Sequence, residues 1–523
     1  MKRILLLLSA FSAGIFLQAQ SNFQKAISIP FVSTPSPRSI VQCADGGYLI
    51  GACSGFYYQA GGSSIIKTDA TGQVSWTKSI SSTNGYMNLL QVGECIGGGY
   101  YIFGDNSDSL WMSSGFSLTK LDASGNVLWG KIFPNSNPGY GSSKIRATAD
   151  GGYLISESLY SKMGALKLDA SGNVLWHTAY TDDPNDASPK CPSFDCFIGS
   201  DGSMVFSGKR NSDILLVKTN STGQMQWSST IGNGTSYYHA NGISNTADGG
   251  YIVCGYDDYY PFCMKVSSTG TVTWYHAYNP VDGGEFIQVK EQSNGHFVAL
   301  GDDSWMNSFL VILDANGNII SSSIFGNSSG EYLSSAHMCN TSDGGFAITG
   351  SYYDPSNGLT AVSIMKTDIN GNFGCNFNYF AMGFSTSQVS PTVLNVPIYS
   401  IPQTTSPSTI TYNCTSLNAT EVDFCTLFGV NDPIENAVSI SAFPSPIASG
   451  ENLHLTVSGL DGAASIFVYD TRGKVVKEFN QEFSSNATTS MEISTADLNA
   501  GIYLVRITGA DQEILGVTRF MVR

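Results

Sequence analysis

The chain has 523 residues, of which 42% are hydrophobic and 13% charged, and its formal net charge is −16 at pH 7. An acidic balance of this size argues against nucleic acid partners and against electrostatic binding to anionic lipid. After the N-terminus no apolar stretch is long enough to span a bilayer, so we expect no integral membrane segment in the mature chain.

The N-terminus, residues 1–20, is predicted to be a secretory signal peptide. Lys2 and Arg3 precede an apolar run from Ile4 to Leu17, and small residues follow. A charged start, a short apolar run and a small residue near the cut are typical of such signals. All 11 cysteines lie after this segment. They are expected in an oxidising compartment, where disulfides can form.

Residues 21–378 contain seven copies of one repeat, with a period of about 50 residues that is typical of solenoids, propellers and arrays. Each copy has a turn motif that reads DGGY in its cleanest form, as at Asp150–Tyr153 and Asp248–Tyr251. A second motif follows it and reads KLDASGNVLW in its cleanest form. The glycines of this second motif are Gly72, Gly125, Gly172, Gly223, Gly270, Gly317 and Gly371.

The repeat spanning Lys144–Tyr180 shows what each copy forms. Four short runs of alternating, aromatic or β-branched residues predict four strands, and the Gly and Asp clusters between them predict tight turns. Four hairpin-connected strands that repeat radially describe a propeller blade. We therefore predict an all-β protein whose N-terminal part is a seven-bladed β-propeller.

The segment at residues 22–28 is predicted to close this propeller. Phe23–Ile27 resembles Trp76–Ile80, which is the fourth strand of the first repeat, but it stands before the first blade. Lending this strand to the seventh blade would remove an exposed sheet edge. Five fourth strands carry a tryptophan four residues after the turn glycine, and we expect it to pack between blades: Trp76, Trp129, Trp176, Trp227 and Trp274.

Residues 379–436 are rich in Ser, Thr, Pro and Asn and are interpreted as a linker or an irregular extended module. A disulfide between Cys414 and Cys425 can cross-link this segment. Cys254 and Cys263 flank one hairpin loop and are expected to face each other across two strands, while Cys191 and Cys196 share one connection. Four further cysteines in predicted strands have free buried thiols as their simplest interpretation: Cys43, Cys53, Cys95 and Cys339.

Residues 437–523 differ in character, with short alternating strands between Gly and Asp turns that predict a small β-sandwich. In order they contain Ala442–Pro446, Ile466–Val476, Leu498–Ile507 and the terminal Arg519–Arg523. This set of motifs resembles the type A C-terminal sorting domain of the type IX secretion system. The resemblance implies an Ig-like sandwich, the translocon and sorting machinery of that system as partners, and a Gram-negative bacterium. It also implies that the protein is secreted or attached to the outer-membrane surface.

The loops between second and third strands, and those between blades, vary in length and are rich in aromatic residues. Variable loops on a rigid scaffold concentrate binding residues, and aromatic rings suit glycan or protein recognition. We therefore predict a non-catalytic binding protein with an unknown glycan or protein ligand. The candidate ligand-binding residues are Tyr57, Tyr58, Trp111, Tyr160, Tyr238, His239, Tyr259, Tyr260, Trp305, Tyr352 and Tyr353. Packing of these rings over blade edges is the competing interpretation.

Acidic loop residues give a weaker prediction of calcium binding, because this ion takes several carboxylate oxygens. The candidate ligands are Asp182, Asp183, Asp186, Asp257 and Asp258. No cofactor and no enzymatic activity are otherwise expected, since zinc-protease, Walker A and dinucleotide motifs are missing from the sequence. Two alternatives remain open: a structural surface-layer component, or a polysaccharide hydrolase or lyase that uses a carboxylate pair such as Asp257 and Asp302.

Overall fold

A computed structural model gives the structure of much of the chain. The residues it describes are 22–30, 35–54, 63–82, 86–107, 113–134, 143–159, 162–185, 192–232, 237–258, 260–280, 283–303, 307–325, 332–354, 358–371, 379–380, 384–388, 392–394, 396–423, 439–443, 447–470, 474–484, 488–509 and 514–523. The predicted signal peptide lies outside these ranges. The chain divides into two compact units, the first ending at Phe424 and the second beginning at Cys425. The described residues include no helix with the length and hydrophobicity needed to span a membrane.

The first unit contains seven antiparallel sheets, one for each repeat, and in sheets 1 to 6 the first four strands follow one another along the chain. Sheet 1 contains β2 (Pro35–Gln42), β3 (Tyr48–Ser54), β4 (Ser63–Thr68) and β5 (Val74–Ser82), and sheet 2 contains β6 (Tyr86–Glu94), β7 (Tyr100–Ser107), β8 (Ser113–Leu121) and β9 (Val127–Phe133). Sheet 3 contains β10 (Lys144–Ala147), β11 (Tyr153–Leu159), β12 (Lys162–Leu168) and β13 (Val174–Thr181). Sheet 4 contains β14 (Ser193–Ile198), β15 (Met204–Arg210), β16 (Asp213–Thr219) and β17 (Met225–Gly232).

Sheets 5 and 6 contain β18 (Tyr238–Asn245), β19 (Tyr251–Asp257), β20 (Tyr260–Val266) and β21 (Val272–Pro280), and then β22 (Glu285–Glu291), β23 (Phe297–Asp302), β24 (Ser308–Leu313) and β25 (Ile319–Phe325). Sheet 7 contains β26 (Tyr332–Asn340), β27 (Phe346–Asp354), β28 (Leu359–Thr367) and, as its fourth strand, β1 (Phe23–Ser28). Phe23 is in register with Lys366, and Ile27 with Val362. The prediction that the N-terminal strand joins the last repeat is thereby confirmed.

Residues 379–423 are not the linker that their composition suggests, because they add a fifth strand to each of the seven sheets. The chain visits sheets 6, 5, 4, 3, 2, 1 and 7 in that order. The strands are β29 (Tyr379–Phe380), β30 (Phe384–Gln388), β31 (Thr392–Leu394), β32 (Tyr399–Pro402), β33 (Ser408–Thr409), β34 (Tyr412–Leu417) and β35 (Thr420–Asp423). They are short and largely exposed where their side chains are described, so no alternation of apolar and polar residues marks them in the sequence.

Aromatic rings link six of the seven sheets to the next one, as predicted for the tryptophans. Each ring lies against the positive-φ turn glycine of the following repeat, so closely that a Cβ on the glycine would lie about 2.3–2.9 Å from it. The pairs are Phe23 with Gly72, Trp76 with Gly125, Trp129 with Gly172, Trp176 with Gly223, Trp227 with Gly270 and Trp274 with Gly317. Leu310 contacts Gly371, where the sixth repeat has no tryptophan. Phe23 belongs to sheet 7 and Gly72 to the first repeat, so this contact joins the last sheet to the first.

Hydrogen bonds between the first strands of neighbouring sheets, or the turn just after one of them, make a second cycle. Polar side chains donate to, or accept from, the backbone or a side chain of the adjacent sheet. The bonds are Ser39 Oγ to Val92 O (3.4 Å), Gln91 Nε2 to Ile145 O (2.9 Å), Arg146 Nη2 to Asp195 Oδ1 (2.6 Å), Ile243 N to Asp195 Oδ2 (3.3 Å), Asn241 Nδ2 to Phe286 O (2.9 Å), Met338 N to Gln288 Oε1 (2.7 Å) and Ser342 N to Gln42 Oε1 (2.7 Å).

The described cysteines are all free thiols. Cys254 and Cys263 face each other in register, as predicted, but no disulfide joins them. Cys43, Cys53 and Cys95 are buried, while Cys339 is only partly so. Cys196 and Cys414 are likewise unpaired, and their proposed partners Cys191 and Cys425 lie outside the described residues.

The second unit has two antiparallel sheets that share one hydrophobic cluster. The cluster takes Leu455 and Ile493 from one sheet, and Ile466 and Val505 from the other. The first sheet contains β36 (Ser439–Phe443), β37 (Asn452–Ser458) and β40 (Thr489–Ser494), and the second contains β38 (Gly462–Tyr469), β39 (Val475–Phe483), β41 (Gly501–Thr508) and β42 (Ile514–Val522). Parts of the predicted motifs lie in these strands, with Ala442 in β36, Ile466 in β38, Ile502 in β41 and Arg519 in β42.

Candidate ligand-binding site

An aromatic cluster lies where sheets 4 and 5 meet, at the strand ends that carry the variable loops. The imidazole of His239 stacks on Tyr256, with ring centroids 5.2 Å apart and an interplanar angle of 12°. Phe194 packs against the same imidazole, with ring centroids 3.7 Å apart. Tyr237, which is 41% exposed, lies 5.9 Å from Tyr256 and extends the cluster to the surface. We call these four residues the aromatic cluster.

Polar contacts fix the orientation of the cluster. The Asn241 side-chain nitrogen donates to the Glu285 carboxylate at 2.8 Å, so the Asn241 oxygen faces His239. Because an amide oxygen only accepts, Nδ1 of His239 donates to it at 2.6 Å. Burial lowers the pKa of His239 to about 4, so the imidazole is neutral at physiological pH. Burial likewise raises the pKa of Glu285. Lys209 lies over the Tyr237 ring at 4.6 Å and donates to its hydroxyl at 2.7 Å.

A cavity of about 620 Å³ lies beside this cluster, and all seven first strands line it. In every repeat the residue four positions before the DGG turn lines the wall: Val41, Gly93, Arg146, Phe197, Ser244, Lys290 and Cys339. Residues six positions before the turn add Gln91, Lys144, Asp195 and His337, among others. Asn241 belongs to this lining and also bonds His239, so it connects the cavity to the aromatic cluster. A cavity of this size is in the range of small-molecule sites.

The structure separates the predicted ligand-binding residues. His239 lies in the aromatic cluster, and Tyr260 is 42% exposed on a neighbouring strand. Tyr353 is half-buried. Tyr238 and Tyr352 are only 4% and 3% exposed and belong to hydrophobic cores, which corrects their assignment as ligand contacts. The remaining candidates lie outside the described residues: Tyr57, Tyr58, Trp111, Tyr160, Tyr259 and Trp305.

Three members of the site were missed from the sequence. Tyr237 and Tyr256 lie in aromatic runs whose members Tyr238 and Tyr259 are among the predicted ligand contacts, while Phe194 lies in a strand that follows no tyrosine-rich loop. Strand alternation was the available signal, because Tyr238 points to the core and residues next to it must then point away. The charged lining of the cavity was missed altogether.

The carboxylates proposed for calcium are engaged within the protein. Asp182 pairs with Arg210 at 2.7 Å, Asp183 accepts from the Asn185 amide, and Asp258 accepts from the Tyr237 amide. Asp257 accepts from the Tyr275 hydroxyl at 3.0 Å. Asp186 lies outside the described residues, among which no group of three or more His, Cys, Asp or Glu side chains can hold a metal ion.

The carboxylates proposed for hydrolysis are also bonded within their own sheets. Asp257 bonds Tyr275 in sheet 5, and Asp302 accepts from the Ser308 hydroxyl in sheet 6. Burial raises the pKa of Asp257, with the negative charge of Asp258 adding to it and the Tyr275 hydrogen bond opposing it. Neither carboxylate lies in the lining of the cavity.

Residues 441–522 match the family described as the secretion system C-terminal sorting domain. The second unit is therefore a sorting domain, and the chain is an all-β exported protein. More particularly, the domain marks the chain as cargo of the type IX secretion system, as the C-terminal motifs predicted. No curated protein matches the chain.

Solved structures provide distant likenesses. One is PorZ of Porphyromonas gingivalis, described as an essential bacterial surface component of the type-IX secretion system, at 12% identity and a TM-score of 0.40. The likeness covers 91% of this chain and 58% of the PorZ chain, so this chain spans little more than half of that protein. A protein of unknown function from Dyadobacter fermentans has 8% identity and a TM-score of 0.40, covering 66% of this chain and 98% of its own. One from Bacteroides caccae has 18% identity and a TM-score of 0.34, covering 49% and 87%. Likenesses this distant assign no function to the chain.

Proposed function

We propose that the protein is a non-catalytic binding protein whose first unit is a seven-bladed β-propeller. Two cycles of contacts between sheets support the closed arrangement, since both return from sheet 7 to sheet 1. The strand β1 supports it further, because it joins sheet 7 while Phe23 packs against Gly72 of sheet 1. Each sheet would then be one blade, with its first strand at the centre.

The observation that carries the binding function is the connection of the aromatic cluster to the cavity through Asn241. Exposed aromatic rings present a large contact area at modest entropic cost, and a polar cavity fixes orientation. The ligand of this combined site is a glycan or a protein segment. After export in a Gram-negative bacterium, the protein is secreted or stays attached to the outer-membrane surface.

A glycan array and a pull-down from surface extracts test the binding function with the mature chain. We expect at least one glycan or protein to bind, and a Tyr237→Ala/His239→Ala double variant to weaken binding. Tyr399→Ala serves as the matched control, since Tyr399 is 46% exposed on an outer strand away from the site. Failure of every ligand class to bind the folded protein would exclude the proposal and favour the structural surface-layer alternative.

A further inference from the structure

The cavity is positively charged although the chain as a whole carries a net charge of −16. Its lining includes four basic residues, Arg38, Lys144, Arg146 and Lys290, and two acidic residues, Glu94 and Asp195. The cations come from three different first strands, β2, β10 and β22, so they surround one space rather than follow one strand. Cations grouped in an acidic protein repel each other unless an anion joins them.

Two of the four basic residues, Lys144 and Lys290, form no ion pair in the described part of the chain. Arg146 pairs with Asp195 at 2.6 Å, and this ion pair links sheets 3 and 4. Lys290 donates to the neutral Ser244 hydroxyl at 3.2 Å. Lys144 also occupies a position at which other repeats place a side chain that bonds the next sheet, such as Gln91 or Gln288.

The electrostatics agree with this geometry. Burial lowers the pKa of Lys144 and the pKa of Lys290, and the Arg146 charge lowers both further, while Asp195 acts in the opposite direction. Burial and the charges of Lys144 and Arg38 lower the pKa of His337 to about 3. The imidazole is therefore neutral at physiological pH and adds a hydrogen-bonding group to the wall without adding charge.

We propose that this cavity binds a ligand with two or more oxyanion groups, contacted by Lys144, Lys290 and Arg38, and that the ligand is an acidic oligosaccharide. The inference rests on the proposed binding function and adds the ligand class. Sugar rings suit the adjoining aromatic cluster, while carboxylate or sulfate groups suit the cations. A small polyphosphate shares the oxyanion chemistry but lacks rings for the aromatic cluster, so the two sources can be separated by experiment.

Titration calorimetry on the mature chain tests the inference with three probes: trigalacturonate, inorganic pyrophosphate and neutral maltotriose. We expect trigalacturonate to bind and maltotriose to bind much more weakly or not at all. Raising NaCl from about 50 to about 500 mM should weaken anion binding, since salt screens the charges. Binding of pyrophosphate alone would keep the oxyanion site but overturn the assignment to an acidic sugar.

A Lys144→Met/Lys290→Met double variant should weaken trigalacturonate binding about tenfold or more. The same substitutions should raise the melting temperature of the free protein, because they remove buried repulsion. Lys131→Met is the control, since Lys131 bonds Asn173 on an exposed outer surface. If the double variant does not fold, Lys290→Gln alone should still weaken binding.

Unchanged binding in folded variants would overturn the inference. Failure of this inference is distinct from failure of the binding function. A neutral glycan that requires Tyr237 and His239 but not the two lysines would leave the binding function intact and exclude the anion site.

Discussion

At the scale of single residues, the turn glycines meet two requirements, a left-handed backbone and room for an aromatic ring. Gly172 has φ of +73°, and a Cβ there would lie 2.9 Å from the Trp129 ring. Gly249 has φ of +80° but nothing within 4 Å of the same position. Substituting each of these two glycines by alanine therefore separates the free-energy cost of a left-handed backbone from the cost of displacing a packed ring.

Gly249→Ala should lower the free energy of unfolding by about 1–2 kcal/mol through the backbone alone. Gly172→Ala should cost about 1–3 kcal/mol more, because the Trp129 ring must also move. Chemical denaturation of both variants measures the difference. Equal losses in the two variants would show that the ring contact contributes nothing to stability.

The DGG turns also contain an ion pair between the turn aspartate and a lysine of the third strand. Asp248 pairs with Lys265 at 2.7 Å, and this hydrogen bond, with help from Thr246, lowers the pKa of Asp248 to about 2. The unfolded value is about 4. Because the folded pKa is the lower one, the stabilisation is complete above about pH 4 and is lost as the pH falls through about 2.

Asp248→Asn should therefore lower the free energy of unfolding at pH 7 by about 1 kcal/mol or less, since the carboxylate is largely exposed. The difference should shrink as the pH falls through about 2 and vanish below it, where the carboxylate is protonated in the folded state too. Thermal unfolding across this pH range provides the measurement, and a difference that persists unchanged at low pH would contradict the ion-pair explanation.

The charged wall of the cavity shows what the sequence could and could not predict at this scale. The positions of the wall residues can be located in the sequence, since they stand four and six residues before each DGG turn. Their chemistry was hidden, because the seven repeats place different residue types there, including Arg146, Phe197 and Lys290. Only the assembly of all the first strands around one space brings the cations together.

At the scale of elements, the four strands of each repeat could be predicted because turn glycines and alternating residues mark their ends. The N-terminal strand could be matched to sheet 7 because Phe23–Ile27 repeats the pattern of Trp76–Ile80. The outer strands could not be predicted. They pair along one edge of each sheet, and most of their described side chains are exposed, so no apolar pattern marks them.

Two tyrosines of the outer strands test this part of the fold. Tyr412 is 6% exposed and packs among residues of sheets 1 and 2, whereas Tyr399 is 46% exposed. Tyr412→Ala should lower the free energy of unfolding by about 3–5 kcal/mol, as for other buried aromatic residues. Tyr399→Ala should change it by about 0.5 kcal/mol or less.

Denaturation midpoints of the two variants give the measurement. A linker would tolerate both substitutions equally, so a small effect of Tyr412→Ala would contradict the role of residues 379–423 as outer strands.

At the scale of the whole molecule, the two units divide the work of the protein. The sorting domain marks the chain for export, and its sequence motifs were sufficient to identify it. The proposed binding site lies in the other unit, where all seven first strands line one cavity. Closure of the seven sheets is therefore the claim on which the proposed function and the ligand class both depend.

A crystal structure of the mature chain measures this closure directly. We expect seven sheets around one cavity, with β1 beside β28 and the Phe23 ring against Gly72. An open row of sheets, a different number of them, or a β1 strand paired elsewhere would contradict it.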